Sequence, residues 1–305
     1  MKPILHHYDA SPFSRKAQKM LGLKQLSWLS VEMPMTAPKP EIEQLTGGYR
    51  GTPVLQLGRN FFVDNLAIAH ALDRCFPQNR QLAGKHSRLI DDAIGHWANA
   101  LFEPVLRAAV GKFADDWDDH FRADRQAVFP HLDFDQLPSQ LPNFYEGILA
   151  MSRELAVHLA SHGPFIHGDE PGLADIHCWG ILWFVFAGLP EIDEPLKLLG
   201  DLHDWYGRME TLGFGERTES DYAKAFALVA ASQAEAPVLL AEAGNAFGDW
   251  VGLQVSVRAE GADRGEVTGT LCAADGDLIR LSVSQPSDQS THVYFPRMGY
   301  VLTLI

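Results

Sequence analysis

The sequence predicts three consecutive segments of different class: an α/β domain over residues 1–80, an all-α domain over 85–235, and a small antiparallel β-barrel or sandwich over 240–305. Three observations carry this reading. Strand and helix patterns alternate in the order β-α-β, loop, β-β-α up to Pro77. Apolar residues then recur at helical spacing with no strand pattern between them. After Pro237 the pattern becomes strict apolar alternation with turn residues between the runs.

In the first segment, Ile4 to Tyr8 is a short strand, and Asp9-Ala10-Ser11-Pro12 turns the chain. Proline is tolerated in a first helical turn, where its missing N–H has no partner to lose. Phe13, Ala17, Met20 and Leu21 then fall on one helix face, and Gly22 stops the helix. Leu26 to Val31 is a second strand, and Met33 to Pro40 is too proline-rich for regular structure. Thr52 to Leu57 and Asn60 to Val63 form a hairpin through Gly58-Arg59. Asp64 is an N-cap before the helix of Leu66, Ile68, Ala69 and Leu72.

The helical segment opens with the stripe Ile90, Ile94, Trp97, Leu101 and Val105. Phe113 to Pro142 is acidic and proline-broken and reads as a loop, with helical spacing again over Phe144 to Leu159. Leu173 to Gly188 is apolar nearly all round, so it belongs in the middle of a bundle. Leu196 to Met209 and Tyr222 to Ala231 complete the helices. Among the later strands, Ala274-Asp275-Gly276-Asp277 is a hairpin turn in which Gly276 accepts positive φ.

Composition excludes some partners. The 305 residues carry 25 Lys+Arg against 39 Asp+Glu, a formal charge of -14, which repels nucleic acid and anionic membrane surfaces. Cys75, Cys178 and Cys272 form no CxxC pair or zinc cluster, and an odd count suits a reducing compartment. No signal peptide opens the chain, and its longest apolar run is too short for a bilayer. A soluble cytoplasmic protein with no metal is expected. His6 and His7 point to opposite faces of a strand and cannot chelate together. Asp115-Asp116-Trp117-Asp118-Asp119-His120 lacks EF-hand spacing and reads as a solvated acidic loop.

The segment Ser11-Pro12-Phe13-Ser14 lies where a strand hands over to a helix, so unpaired backbone N–H groups gather there. Two readings of Ser11 stand: a helix cap, or a hydroxyl that donates to a bound thiolate and lowers its pKa. Tyr8 and Ser14 are the alternative donors, although Ser14, one turn into the helix, is expected to face away. Arg15 and Lys16 either draw in an anion or lie on the solvated helix face.

The Ser-Pro-Phe-Ser turn resembles the CPYC motif of glutaredoxins with both cysteines replaced by serine. Gly51-Thr52-Pro53-Val54-Leu55 resembles the cis-proline loop of the thioredoxin-like superfamily, and Asp64-Asn65 the acidic-hydroxyl pair of glutathione transferases, with Asn65 in place of the hydroxyl. Phe165 to Ile176 resembles the segment that starts the buried core helix of that family, with Gly172 where a capping serine or threonine stands. These residues span about Met1 to Met209, and their order resembles the glutathione S-transferase family; the β segment resembles no known family.

The resemblance implies a thioredoxin-like domain followed by a helical bundle. It further implies glutathione as co-substrate, held by Thr52 and Pro53 through the backbone and by Asp64 and Asn65 at the γ-glutamyl end. Ser11 would activate the thiol for attack on a small electrophile held against the helical domain, where His96, Trp97 and Asn99 lie on a bordering helix. A homodimer is the family expectation. The other reading is a transferase fold kept as a non-catalytic binding or interaction module. A disulfide or glutathionyl-transfer reductase would need a cysteine at the turn.

Overall fold

The computed structural model describes residues 2–83, 88–232, 247–286 and 289–305. In chain order come β1 (Ile4–His7), α1 (Pro12–Leu23), β2 (Ser27–Glu32), α2 (Pro40–Thr46), β3 (Val54–Leu57), β4 (Asn60–Val63) and α3 (Asp64–Cys75). Helices α4 (Arg88–Phe113), α5 (Asp119–Val128), α6 (Leu137–His162), α7 (Leu173–Gly188), α8 (Asp193–Lys197) and α9 (Gly200–Thr211) follow. Then come β5 (Glu216–Ser220), α10 (Tyr222–Ala231), β6 (Gln254–Ala259), β7 (Glu266–Ala274), β8 (Leu278–Ser284), β9 (Ser290–Pro296) and β10 (Tyr300–Leu304). The chain divides into two compact units, one of Met1–Ala17, Leu26–Asn79 and Glu216–Ile305, the other of Gln18–Gln25 and Arg80–Gly215.

The first unit is built on one sheet of ten described strands, ordered β10-β6-β7-β8-β9-β4-β3-β1-β2-β5. Its centre has the thioredoxin arrangement: β1 runs parallel to β2 and antiparallel to β3, and β3 pairs antiparallel with β4. Both edges of that four-stranded core are covered by later segments. β9 adds parallel to β4, and β5 adds parallel to β2. An uncovered edge presents a row of unpaired N–H and C=O groups, so pairing at both sides satisfies them within the chain.

The C-terminal strands thus continue the first sheet instead of forming a separate compact unit. Val257, Val267, Leu281 and Val293 join Ile4, Val54 and Phe61 in one buried cluster, which α10 extends with Ala225 and Val229. The composition shift expected at Pro237, and the segment boundaries at 85, 235 and 240, lie outside the described residues. β5 falls inside the segment read as all-helical. Its sequence ERTES is mostly exposed and has no apolar alternation, because it lies at the edge of the sheet, held by backbone pairing to β2 and by polar side chains.

The helical unit has α7 at its centre, with every residue from Leu173 to Leu182 buried. Asp175 anchors it: the carboxylate accepts from the N–H of Ile166 at 2.9 Å, of Gly172 at 2.9 Å and from the Trp205 indole at 2.8 Å. The aspartate half of the capping box therefore survives a glycine at the cap position. On α4 the expected stripe is correct at Leu101 and Val105, but Ile90 is exposed and Trp97, like Ile94, only half-buried. Asp91 is buried instead, its carboxyl 2.8 Å from His167 Nε2, so a hydrogen-bonded polar position lies on the buried side at that end of the helix.

Other local expectations change too. Residues 113–142 contain α5, started by Asp118 accepting from Phe121 N–H at 2.8 Å, so part of the acidic loop is a helix cap. Pro40 opens α2 instead of ending a loop, as a first-turn proline can. At the β7–β8 turn Gly276 has no positive φ. The Asp275 carboxylate makes that turn, accepting from Asp277 N–H and Leu278 N–H at 2.7 Å each. No single helix among the described residues is long and apolar enough to cross a membrane.

Candidate functional site

The turn between β1 and α1 is held by its own residues. Ser11 Oγ accepts from Ser14 N–H at 3.2 Å, so Ser11 caps α1, and Ser11 N–H donates to Tyr8 C=O at 3.3 Å. Only 3% of Ser11 is exposed, so any ligand reaching its hydroxyl needs that turn to open toward it. Asp9 braces the turn from outside: Arg217 of β5 reaches both its carboxylate oxygens at 3.0 Å, and Arg15 Nε donates to its carbonyl at 3.0 Å. Arg15 is therefore engaged locally, and Lys16 is buried with its ammonium over the Phe13 ring. Neither is a solvated helix-face charge.

Ser14 corrects an expectation. Its side chain faces the strand system, with Oγ 3.3 Å from Thr52 Oγ1, and it is fully buried. Thr52-Pro53 is a cis peptide, and Pro53 is buried immediately before β3. The first turn of α1 and the proline loop are thus joined hydroxyl to hydroxyl. Tyr8 is half-buried against the core, with the Lys39 ammonium over its ring.

Asp64 starts α3 with φ of +71°, a left-handed conformation uncommon for any residue but glycine, and one that aspartate adopts more readily than most. Its Oδ1 accepts from Leu66 N–H at 3.2 Å. Its Oδ2 accepts from Arg264 Nη1 at 2.8 Å. Asn65 is 6% exposed, and its Oδ1 has no hydrogen-bond partner among the described residues. A buried acceptor left unpaired in this way is costly.

Arg264, on the loop between β6 and β7, went unnoticed in the sequence, together with Tyr49 and Tyr300 behind it. Arg264 Nη1 also donates to the Tyr300 hydroxyl at 3.3 Å, and that hydroxyl lies 3.3 Å from the Tyr49 hydroxyl. Burial pushes both phenols above their ordinary range, so they stay neutral beside the guanidinium. No local pattern distinguishes Arg264 among the surface cations; only its strand pairing brings it 200 positions back along the chain.

The strand feeding the turn carries two buried histidines. His6 Nε2 lies 2.9 Å from Gln56 Oε1, and His7 Nε2 lies 3.0 Å from Ser30 Oγ. Burial lowers the pKa of each to about 4, leaving both neutral near pH 7. None of the three cysteines is in a disulfide, and burial pushes the Cys75 thiol up to about 11.

A central sheet with a cis-proline loop facing a Ser-Pro helix start, together with a helical unit centred on a buried Asp-capped helix, defines a thioredoxin-fold protein of transferase architecture. Residues 5–80 match the glutathione S-transferase N-terminal domain, and residues 138–208 match the C-terminal domain. The chain is a glutathione S-transferase-like protein, carrying in addition the strands from 254 to 304.

Solved structures agree on the fold. A GST-like protein from Pseudomonas syringae is 25% identical with a TM-score of 0.77, over 100% of this chain and 99% of that one, so the match includes the C-terminal strands. The glutathione transferase GSTFuA3 from Phanerochaete chrysosporium superposes with a TM-score of 0.57 at 16% identity, over 70% of this chain and 98% of its own. A glutathione S-transferase from Ceriporiopsis subvermispora, solved in complex with glutathione, gives 0.54 at 18%, over 70% and 98%. No curated protein sequence matches the chain.

Proposed function

We propose that the first unit binds glutathione, or a similar thiol peptide, and activates its thiol for attack on a small electrophile. The observation that carries this reading is the convergence of hydroxyls at the start of α1, where Ser14 Oγ meets Thr52 Oγ1 beside the cis-proline. A thiolate at this helix start would receive backbone N–H groups and hydroxyl donors together, lowering the thiol pKa. Thr52 and Pro53 would hold the peptide through the backbone, and Asp64 and Asn65 would face its γ-glutamyl end. Ser11 is the first choice of thiolate donor, with Ser14 and Tyr8 as alternatives. In this reading the protein works in the cytoplasm as a homodimer and needs no metal.

Isothermal titration of glutathione tests the reading, with Ser11→Ala and Ser14→Ala alongside. A hydrogen bond to a charged group contributes about 1.5–3 kcal/mol, so losing the true donor weakens thiolate binding about 10- to 100-fold. Turnover with a reporter electrophile should fall in parallel. If neither substitution changes affinity or turnover, the hydroxyl assignment is wrong.

The second reading, a transferase fold serving as a non-catalytic binding module, is favoured by one observation. Ser11 Oγ already caps its own helix and is almost wholly buried. Absence of any heat on adding glutathione would select this reading.

A further inference from the structure

Asp64 is the residue expected to receive the ammonium of a γ-glutamyl ligand, yet both its oxygens are engaged by the protein. Oδ1 takes Leu66 N–H and Oδ2 takes Arg264. A guanidinium already supplies the positive charge at that carboxylate. A ligand ammonium brought to the same oxygen would meet Arg264 as a like charge at close range.

The contact is built into the fold. The loop carrying Arg264 is fastened to the segment before Thr52: Arg50 N–H donates to Arg264 C=O at 2.8 Å, and the Arg50 side chain pairs with Asp263. Gly265 N–H turns back to Asp263 Oδ1 at 3.1 Å. Gly265 has φ of +82° and approaches so closely that a Cβ there would lie 2.0 Å from Gly48 C=O. Only glycine permits this approach. Tyr300, itself on β10, holds the guanidinium from behind. A third of the Arg264 side chain nevertheless remains exposed.

Resting on the thiol-peptide reading above, we infer that Arg264 is the specificity-determining residue of this site. Its guanidinium takes the α-carboxylate of the ligand's γ-glutamyl end, and Asp64 serves as the counter-charge that orients Arg264. A planar guanidinium fork binds a carboxylate by two parallel N–H donors, which a point charge does not. The ligand class is then a thiol peptide with a carboxylate at that end, whose amine adds nothing to affinity. The C-terminal strands are part of the ligand site, because without the β6–β7 loop there is no Arg264.

Titration calorimetry on the full chain tests this with three ligands: glutathione, its analogue lacking only the α-amine (glutaryl-cysteinyl-glycine), and its analogue lacking only the α-carboxylate (γ-aminobutyryl-cysteinyl-glycine). The wild-type protein should bind the first two within about 3-fold and the third about 10- to 100-fold more weakly, the range of one charge-assisted hydrogen-bond pair. In Arg264→Ala the order should invert, because the freed Asp64 now favours the ligand that keeps its amine. The wild-type comparison needs no substitution and stands even if that variant folds poorly.

A wild-type protein that loses 10-fold or more in affinity with the amine overturns the role of Arg264 while leaving the thiol-peptide reading intact. An unchanged ligand order in a folded Arg264→Ala protein does the same. Binding of none of the three ligands overturns the thiol-peptide reading and this inference with it.

Discussion

Two helix starts in the same sheet unit are finished in opposite ways. At α1, Ser11 caps the helix with a partner three residues on, and the bracing Asp9 lies two residues before it. At α3, Asp64 caps with Oδ1 in the same local manner, but its other oxygen is completed by Arg264, 200 positions later. The cap of α1 is therefore local chemistry, although Arg217 of β5 braces the turn before it, while the charge partner of Asp64 arrives only when the C-terminal strands pair onto the sheet. The difference teaches which part of the candidate site can change without disturbing the Ser-Pro turn: the part supplied from far away.

The strongest way to break this contrast is at Gly265. A valine there would take on left-handed backbone strain, and its Cβ would overlap Gly48 C=O. Expected is a loss of about 3 kcal/mol or more in urea unfolding. A loss below about 1 kcal/mol would show that the loop shifts easily and that Arg264 is not held by it.

Acid should act on the other end of the comparison, through the strand that feeds the Ser11 turn. His6 and His7 have folded pKa values of about 4 against 6.5 for the free side chain, so between these values the unfolded chain binds more protons. Their contribution is fully present above pH 6.5 and is lost as the pH falls toward 4. Each histidine steepens the decline by up to about 1.4 kcal/mol per pH unit. His6→Gln should remove about half of that slope in urea titrations between those pH values. An unchanged slope would place the acid sensitivity elsewhere.

The smallest effect separates the two helix starts directly. A double-mutant cycle on Asp64→Asn and Arg264→Met should show a coupling of about 1 kcal/mol in stability, modest because both side chains are partly exposed. Ser11→Ala should cost about 1 kcal/mol as a lost cap and show no coupling to Arg264→Met. Coupling between Ser11 and Arg264 would mean the two ends are not independent.

Much of the fold was legible in the sequence because its signals are periodic or local. The β3–β4 hairpin, the Ser-Pro turn, the apolar α7 and the alternating C-terminal strands each follow from residues a few positions apart. Of the site, Ser11 as a cap and the Thr52-Pro53 loop were legible for the same reason. β5 was not, since an exposed edge strand that pairs through its backbone leaves no apolar pattern. The inward turn of Ser14 was missed because a short helix does not reveal which face the neighbouring loop will cover.

The sequence by itself determined the kinds of element, their order and the residues that cap and turn them, since side-chain spacing and backbone preference act over a few residues. Only the tertiary structure decided that the last strands extend the first sheet, that Asp91 is buried beside His167, and that Arg264 meets Asp64. Those outcomes depend on which strand edge remains unpaired and which charge is carried to it. Both are set by hydrogen-bond satisfaction across the whole unit, and neither is written in the composition of any one segment.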